Sequence, residues 1–323
     1  MDEFSLIAEL FAPLARGAPE ALGLTDDAAV VEVPPGRRLV VTTDMVVAGG
    51  HFLADDPPAM VARKLLRVNL SDLAAMGAAP RTYLLALAVP RGTKEDWLED
   101  FAAGLAEDQE TYGIHLIGGD IVATDGPLVA SLTALGEVSD GGEVLRSGAR
   151  PGDLVFVSGT LGDAALGLRT LRGELAGVDA AGRAALVDRY RLPQPRLALG
   201  ARLSGIAHAA IDVSDGLVAD LGHICECSKV GAEVEAERLP LSPAAQAAVD
   251  ADRSLSPVVL TGGDDYEIAF TAGPEVAGQV AELAAALALP LTKIGRITAG
   301  AEVRVVDDAG ADVVLGARGY RHF

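Results

Sequence analysis

Cysteine and aromatic residues are scarce in this sequence, and each scarcity excludes a class of protein. Only Cys225 and Cys227 occur among 323 residues, and two cysteines one residue apart cannot cross-link a fold. Nothing therefore indicates an oxidising compartment, and we expect the protein in the cytoplasm. Phe, Trp and Tyr together make up 4% of the chain, too few for a surface that stacks nucleic-acid bases.

Positive charge is also scarce. The chain has 46 acidic and 26 basic residues, a formal net charge of −20. Nucleic-acid-binding proteins hold the phosphate backbone with clustered positive charge, so we exclude nucleic acid as a main partner. No apolar run reaches the length of a membrane span, and the N-terminal residues MDEF open with acids where an export signal carries basic residues. We expect neither export nor membrane insertion.

The motifs of several common enzyme classes are missing. The only lysines are Lys64, Lys94, Lys229 and Lys293. None of them completes a phosphate-binding P-loop, and the sequence lacks the H-R-D and D-F-G motifs of protein kinases. No G-x-S-x-G motif occurs, and Ser214 has no histidine nearby in sequence. P-loop, protein-kinase and acyl-transfer chemistry therefore have no support.

Zinc binding has little support either. The five histidines form no H-E-x-x-H motif. His223, Cys225 and Cys227 offer at most three ligands on one helix, a poor tetrahedral set. We interpret these three residues as structural.

The length and composition predict two α/β domains. A chain of 323 residues is about twice a typical domain. Its 50% hydrophobic content with 37 glycines and 17 prolines predicts an Ala, Val and Leu core with many turns. The segment 139–153, rich in Gly and Ser, reads as a linker. We therefore predict an N-terminal domain over 1–138 and a C-terminal domain over 150–323.

Helical and strand patterns alternate in both predicted domains. In the first, we predict a helix over 4–14, a strand over 37–44, a helix from Pro57 and Pro58 to Met76, strands over 82–90, 115–120 and 128–138, and a helix containing Trp97, Phe101 and Leu105. In the second, we predict strands over 154–158 and 208–214, helices over 162–171 and 215–228, and strands near 266–271, 293–297 and 302–306. This alternation is typical of an α/β fold.

Aspartates recur where predicted strands give way to loops or helices, and one of them lies on the apolar face of a predicted helix. These residues are Asp27, Asp44, Asp72, Asp120, Asp212 and Asp215. Mg²⁺ takes oxygen ligands from a few carboxylates and shares them with substrate phosphates, so scattered aspartates converging from loops suit it. Asp215 and Asp120 also fit as a helix cap and a turn residue. Asp72 shares the helix face of Val61, Leu65 and Val68, where an unpaired carboxylate is costly.

Two further features could bind phosphate. The glycine-rich segment 158–167 precedes a predicted helix and could present backbone N–H groups to a phosphate, although strand-to-helix turns are commonly glycine-rich. Arg146, in a chain with few basic residues, could clamp a phosphate. Both interpretations remain open at this point.

Nine motifs, taken in order, resemble the thiamine-monophosphate kinases, a family of the superfamily of ATP-using enzymes similar to aminoimidazole ribonucleotide synthetase. They are FSLIAELF, GLTDDAAV, TTDMVVAGGHF, VNLSDLAAMGAAP, LIGGD, RSGARPGD, AIDVSDGLVADLGHI, GGDDYEIAF and GYRHF. The resemblance covers essentially the whole chain. It implies ATP-dependent phosphorylation of thiamine phosphate to thiamine diphosphate.

The resemblance also implies the fold and the site. The fold would be the two-domain α/β (α+β) fold of that superfamily, with the N-terminal sheets of two protomers pairing in a homodimer. Several Mg²⁺ ions would be held by Asp27, Thr42, Thr43, Asp44, Asp72, Asp120, Asp212 and Asp215. ATP would contact Gly119, Asp120, Arg146 and Ser214. Thiamine phosphate would contact His51, Glu267 and Tyr320.

This sequence departs from the family pattern at two positions. Thr25 replaces the second glycine of a G-x-G-D-D block, so the loop that carries Asp27 could follow a different path. Asp264 stands where the block G-G-E-D-Y-E has its first glutamate.

The alternatives to a thiamine-phosphate kinase are a sister ATP-using synthase of the same superfamily and a non-catalytic regulator that binds Mg-nucleotide.

The expected chemistry is phosphoryl transfer without a protein nucleophile. Phosphoryl transfer needs positioning and charge neutralisation more than covalent chemistry, and an acidic, lysine-poor site would achieve this through Mg²⁺. The acceptor phosphate is largely ionised at neutral pH, because its second pKa is about 6. We therefore expect direct in-line attack on the γ-phosphate of ATP.

Overall fold

The structure, a computed structural model, describes residues 3–316 and 319–320, apart from the side chains of residues 3 and 4. The chain forms two compact units. The first contains residues up to 73 and residues 78–141, and the second contains residues 74–77 and everything from 142 onward. Among the helices of the described ranges, none has the length and apolar character needed to cross a membrane.

The first unit contains a four-stranded mixed sheet. Its strands are β1 (Arg37–Val47), β2 (Ala79–Pro90), β3 (His115–Thr124) and β4 (Val129–Ser139). They lie in the order β1-β4-β2-β3, with β2 and β3 parallel and the other pairs antiparallel. The register places Thr42 opposite Ala134 and Asp44 opposite Leu132, which fixes the face that each site residue occupies.

The helical segments of the first unit differ in regularity. They are α1 (Glu3–Leu6), a π-helical turn (Ile7–Phe11), 3-10 turns (Ala12–Ala15 and Pro19–Leu24), α2 (Pro58–Ala75) and α3 (Glu95–Tyr112). The predicted helix over 4–14 is therefore helical but divided into three short segments. Within this unit, the buried Asp108 of α3 accepts hydrogen bonds from Arg63 and Arg67 of α2.

The two faces of the first sheet have different surroundings. Tyr83 of β2 donates to Gln109 of α3, and Thr42 of β1 donates to Asp72 of α2, so the helices lie on the face that these side chains share. Successive strand residues point to opposite faces. Exposed residues such as Val41, Met45 and Leu84 therefore form the other face, which we call the open face.

The second unit contains a six-stranded mixed sheet. Its strands are β5 (Leu154–Ser158), β6 (Ala209–Asp212), β7 (Gly231–Glu235), β8 (Ile268–Ala272), β9 (Leu291–Thr298) and β10 (Val303–Val306), in the order β10-β7-β9-β5-β8-β6. Its helices are α4 (Asp163–Leu171), α5 (Ala180–Arg191), α6 (Leu197–Gly200), α7 (Leu217–Ser228), α8 (Pro243–Ala251), α9 (Ser256–Thr261) and α10 (Ala277–Leu287). Among the described residues of this unit, 3-10 turns occur at Ala236–Arg238, Arg253–Leu255 and Pro274–Val276.

Both faces of the second sheet are covered. Val155 and Val157 of β5 join one apolar cluster, which contains residues of α4, α7 and α8. Phe156 joins a second cluster, where it stacks on Phe270 at 5.3 Å between ring centroids. Alternate residues of one strand thus serve two cores, as expected for a sheet with helices on both faces.

The predicted α/β class is confirmed by these two sheets with their helices. The predicted strands are present, and β3 continues to Thr124 beyond its predicted end at 120. Six elements were not predicted from the sequence: α5, α6, α8, α9, α10 and β7. Helices α5, α8 and α10 are rich in alanine, which marks an apolar face only weakly, and α6, α9 and β7 are at most six residues long.

Candidate functional site

A pair of carboxylates lies between β1 and α2 of the first unit. Thr42 and Asp44 point to the helix-covered face of the sheet, and the Thr42 hydroxyl donates to the Asp72 carboxylate of α2. Burial, followed by the charge of the neighbouring Asp72 carboxylate, raises the pKa of Asp44 to about 7. Two neighbouring carboxylates favour either a shared proton or a bound cation.

A cavity of about 710 Å³ lies along the open face of the same sheet. Its lining includes Asp27, Gly119 and Asp120, together with apolar residues of β2 and β3. A Cβ atom at Gly119 would collide with the carbonyl oxygen of Leu85, so only glycine allows β3 to lie this close to β2. The structure thus brings three of the predicted site residues to one cavity.

Thr43 lies on the opposite face from Thr42 and Asp44. Its hydroxyl donates to the Leu132 carbonyl oxygen at 3.2 Å and accepts from the Thr133 hydroxyl at 3.0 Å. Thr133 also lines the cavity. Within the first unit, the predicted metal ligands therefore form two groups, one on each face of the sheet.

The loop that carries Asp27 does not require glycine at position 25. Thr25 has φ −113°, a conformation open to any residue, and its hydroxyl donates to the Leu22 carbonyl oxygen at 2.9 Å. The left-handed conformations fall instead on Leu22, Gly23 and Leu24. The departure from the family pattern at Thr25 is therefore accommodated locally.

His51 has a defined hydrogen-bonding arrangement. Its Nδ1 accepts from the backbone N–H of Val47 at 3.2 Å, so the neutral ring carries its proton on Nε2. The Nζ of the buried Lys64 donates to the His51 carbonyl oxygen at 3.2 Å. The imidazole is thereby held as an Nε2–H donor.

A second acidic region forms where β6 ends in the second unit. Asp212 is the last residue of β6 and is buried, and residues 213–216 lead into α7. The carboxylate of Asp220 in the first turn of α7 accepts from the backbone N–H groups of Asp215 and Gly216, both at 3.0 Å. Burial, followed by the Asp215 charge, raises the pKa of Asp220 to about 7.

The C-terminal segment lies against this loop. The backbone N–H of Tyr320 donates to the Asp215 carbonyl oxygen at 3.0 Å, and the Tyr320 ring is exposed. The backbone N–H of Asp264 donates to the Ser214 carbonyl oxygen at 2.8 Å. Ser214, Asp215 and Tyr320 are therefore brought together, although only Gly319 and Tyr320 of the GYRHF motif fall within the described residues.

Backbone conformation and burial alternate from one residue to the next along 264–267. Asp264 and Tyr266 have positive φ values of 72° and 51°, which non-glycine residues rarely adopt, and the Tyr266 hydroxyl donates to the Asp264 carboxylate at 3.3 Å. Asp265 and Glu267 are fully buried. Strained backbone held in place by buried neighbours is characteristic of functional sites, so Asp264 and Tyr266 join the candidate site.

Asp265 occupies the glycine-rich turn that could have bound phosphate. Its carboxylate accepts from the backbone N–H of Gly162 at 2.6 Å and of Ala164 at 3.3 Å, at the start of α4. Burial raises the pKa of Asp265 to about 8, against the opposing effect of the Gly162 hydrogen bond. Because the protein's own carboxylate takes these donors, segment 158–167 is a structural turn here.

Glu267 is bound by basic side chains. Its carboxylate receives hydrogen bonds from Arg189 of α5 at 2.8 Å and from the Nε of Arg196 at 2.7 Å. The Ser158 hydroxyl donates to the same carboxylate at 2.6 Å. The predicted contact between Glu267 and substrate remains a prediction, on a side chain whose two oxygens already have three protein partners.

Arg146 lies in an exposed loop that precedes β5. Within the described part of the chain, no acidic side chain pairs with its guanidinium. A cation left in this state, in a chain of net charge −20, is well suited to an anionic ligand.

The cysteine region contains free thiols. Cys225 is buried in the core and Cys227 is exposed, and burial raises the pKa of the Cys225 thiol to about 11. His223 lies 3.6 Å from the Glu226 carboxylate. Across the described residues, no three His, Cys, Asp or Glu side chains converge closely enough to hold a metal ion.

Asp220, Tyr266 and the partners of Glu267 were not among the residues predicted from the sequence. Asp220 lies in α7 and Asp215 lies in the loop before it, so their sequence separation of five residues does not indicate a contact. Arg189 and Arg196 lie more than 70 residues from Glu267 in sequence. The sequence shows that Asp264 and Asp265 are adjacent, but it does not show that only Asp265 is buried.

The chain is similar to known proteins along its whole length. Residues 25–138 match the family AIR synthase related protein, N-terminal domain, and residues 150–308 match its C-terminal domain. A thiamine-monophosphate kinase of Caulobacter vibrioides is 46% identical over 99% of this chain and 90% of its own length.

Solved structures agree with this similarity. The crystal structure of a thiamine-monophosphate kinase from Stenotrophomonas maltophilia is 43% identical, with a TM-score of 0.85 over 94% of this chain and 96% of that one. A structure described as AaThiL complexed with AMPPCP and TMP is 34% identical, with a TM-score of 0.80 over 92% of this chain and 91% of that one.

Proposed function

Since the chain belongs to the thiamine-monophosphate kinases among the AIR synthase related proteins, we infer that it catalyses the ATP-dependent phosphorylation of thiamine phosphate. The observation that carries this conclusion is a full-length relative of solved structure that holds AMPPCP and TMP together. AMPPCP has the shape of ATP but a β–γ bridge that resists transfer, and TMP is thiamine phosphate. The chain is therefore a phosphotransferase with a phosphate group as acceptor.

The transfer is direct. An oxygen of the terminal phosphate of thiamine phosphate attacks the γ-phosphorus of ATP, the bond to the β-phosphate oxygen breaks, and ADP leaves with thiamine diphosphate as the other product. The acceptor is already largely ionised at neutral pH, because its second pKa is about 6. The protein's task is to align two anions and to neutralise their charge, and no phosphorylated protein intermediate is needed.

Charge neutralisation requires Mg²⁺, because the site residues and both substrates are acidic. The proposed ligands are Asp27, Thr42, Thr43, Asp44, Asp72 and Asp120 in the first unit, and Asp212 and Asp215 in the second. The Asp44 and Asp72 pair fits this role, since a cation between two oxygen ligands can replace the proton that their proximity favours. When bound, Mg²⁺ neutralises phosphate charge and polarises the γ-phosphoryl group.

The described residues do not preform a cluster of three carboxylates. Mg²⁺ usually keeps several waters and shares its remaining positions with substrate phosphates, so two carboxylates at a time are sufficient. We therefore expect the ions to bind tightly only together with nucleotide. This expectation is consistent with a kinase in which ATP enters as its Mg²⁺ complex.

The remaining site residues bind the two substrates. ATP contacts Gly119, Asp120, Arg146 and Ser214. Thiamine phosphate contacts His51 through its Nε2–H, and it contacts Tyr320 through the exposed ring, which can lie against the cationic thiazolium. Glu267 is also assigned to this substrate by resemblance, and Arg189, Arg196 and Ser158 hold its carboxylate in place.

A second copy of the chain is the proposed partner. The open face of the first sheet exposes Val41, Met45, Leu84 and Val122, and exposed apolar side chains grouped on one face are typical of an interaction surface. A homodimer in which two open faces pair would bury these side chains.

A cytoplasmic setting fits the use of ATP and the two free thiols.

One assay tests the whole assignment. Purified chain is incubated with Mg²⁺, ATP labelled at the γ-phosphate, and thiamine phosphate. We expect label in thiamine diphosphate and one ADP for each product molecule, and no label transfer to thiamine lacking the phosphate. ATP binding without thiamine diphosphate formation would support a nucleotide-binding regulator instead, and a labelled product of another kind would support a sister synthase.

A further inference from the structure

The loop that carries Arg146 is organised around one hydroxyl group. The Oγ of Ser228 accepts from the backbone N–H of Gly148 at 3.1 Å and of Ala149 at 3.2 Å. The same hydroxyl donates to the Arg146 carbonyl oxygen at 3.2 Å. A serine hydroxyl has one donor and two acceptor positions, so all its hydrogen-bonding capacity is used on this loop.

Ser228 is itself held rigidly. It is the last residue of α7, and the following Lys229 is left-handed with φ 56°. The backbone N–H of Val230 donates to the Cys225 carbonyl oxygen at 3.0 Å, and both side chains lie in the same apolar cluster. This is the Schellman arrangement that ends a helix at a fixed position. The helix end therefore fixes the position of the Ser228 backbone, from which the hydroxyl extends.

Other contacts also restrain the loop, on either side of Arg146. The backbone N–H of Ala210 donates to the Leu145 carbonyl oxygen at 3.0 Å. Gly148 has φ 126°, and a Cβ there would collide with the His208 carbonyl oxygen. The first restraint acts before Arg146 and the second acts after it. Ser228 is the group that binds the peptide units on the C-terminal side of Arg146 directly.

We propose that Ser228 is a positioning residue for phosphoryl transfer, which holds the Arg146 loop so that the guanidinium meets the phosphates of ATP. The proposal rests on the proposed ATP contact of Arg146. The guanidinium has no acidic partner among the described side chains, so its direction depends on its backbone. Ser228 touches neither substrate and acts only through Arg146.

The test uses two isosteric side chains at position 228. Ser228→Val has no hydroxyl, and its second methyl group blocks a replacement water, whereas Ser228→Thr has the same shape and keeps the hydroxyl. We expect Ser228→Val to raise the KM for ATP about three- to tenfold. We expect the KM for thiamine phosphate to stay unchanged and Ser228→Thr to remain within about twofold of the parent.

A double variant separates positioning from general support of the fold. Arg146→Ala alone should raise the KM for ATP, and adding Ser228→Val to it should raise the KM no further, because the hydroxyl acts through the missing guanidinium. A further rise in that background, or an equal rise in both KM values with a lower Tm, would overturn the proposal. If Arg146→Ala alone leaves the KM for ATP unchanged, the ATP contact itself is wrong.

If Arg146→Ala raises the KM but Ser228→Val does not, the positioning role is wrong and the ATP contact stands. The failure of the inference and the failure of the proposed function therefore give different results.

Discussion

Both units bury carboxylates, and Glu267 of the second unit and Asp44 of the first unit are compensated in different ways. In the second unit, Glu267 is bound by Arg189, Arg196 and Ser158. In the first, Asp44 lies beside another acid, Asp72, and no lysine or arginine among the described residues pairs with it. A buried charge is costly unless it is compensated.

The difference distinguishes a structural carboxylate from one that waits for a ligand. The protein supplies the counter-charge for Glu267 permanently, so the charge of this carboxylate is compensated whether or not substrate is present. The charge of Asp44 is compensated only by a proton or by a cation that arrives with substrate. The following predictions test this distinction, from the largest expected effect to the smallest.

Removing either acid of the Asp44 and Asp72 pair should abolish most of the activity. We expect Asp44→Asn or Asp72→Asn to lower kcat by on the order of a hundred- to a thousandfold, because transition-state charge stabilisation is lost. Circular dichroism should show an intact fold. Asp125→Asn, at an exposed ion pair with Arg91, is the matched control and should keep full activity. Near-normal turnover of either variant at saturating Mg²⁺ would refute the metal assignment.

Removing the charge of Glu267 should lower the stability of the second unit against unfolding. Glu267→Gln leaves two guanidinium groups without their carboxylate, and we expect the free energy of unfolding to fall by about 3 kcal/mol or more. Chemical denaturation measures this quantity, with exposed Glu282→Gln as the control. The competing outcome is an unchanged stability with a raised KM for thiamine phosphate, which would make Glu267 a substrate contact as the resemblance implies.

Removing the charge of Asp44 should stabilise the ligand-free protein at high pH. The pKa of Asp44 is raised to about 7 in the folded state from 3.8. Its contribution to stability is therefore present below about pH 4 and is lost as pH rises toward 7. We expect Asp44→Asn to be more stable than the parent by on the order of 1–3 kcal/mol at pH 8, and by less at pH 5. Equal stability of the two proteins across this range would show that Asp44 is compensated within the protein.

The smallest expected effect concerns Tyr320, which lies at the acidic loop of the second unit. A ring near a cationic heterocycle gains about 0.5–2 kcal/mol, so Tyr320→Ala should raise the KM for thiamine phosphate several-fold. Tyr320→Phe keeps the ring and should be much milder, and the KM for ATP should hardly change in either variant. An equal rise in both KM values with a lower Tm would identify Tyr320 as a docking residue.

Much of the fold was predictable, because its strands have a strong apolar pattern. The segments 154–158 and 128–138 appear as strands within one residue of their predicted ends. Alanine-rich α8 and α10 were missed because alanine contributes to both buried and exposed helix faces. The N-terminal segment has helical spacing but forms π and 3-10 turns, a distinction that side-chain periodicity does not carry.

The sequence proposes the candidate site as a set of residues, and it does not show how those residues are arranged. Thr42 and Thr43 are adjacent in sequence and lie on opposite faces of β1. Asp264 and Asp265 are adjacent, and only Asp265 is fully buried. The glycine-rich segment 158–167 has the composition of a phosphate-binding turn, but Asp265, about 100 residues away in sequence, takes its N–H donors.

The sequence by itself determined the chemical class of this protein: an acid-rich, lysine-poor α/β chain whose motifs resemble kinases of thiamine phosphate. Composition and motif order depend only on the order of residues along the chain, so they can be read without a fold. The tertiary structure alone decided which carboxylates are compensated, because compensation depends on groups that are distant in sequence. Asp44 and Glu267 are both acids near strands, and only the folded chain places an acid beside one and two arginines beside the other.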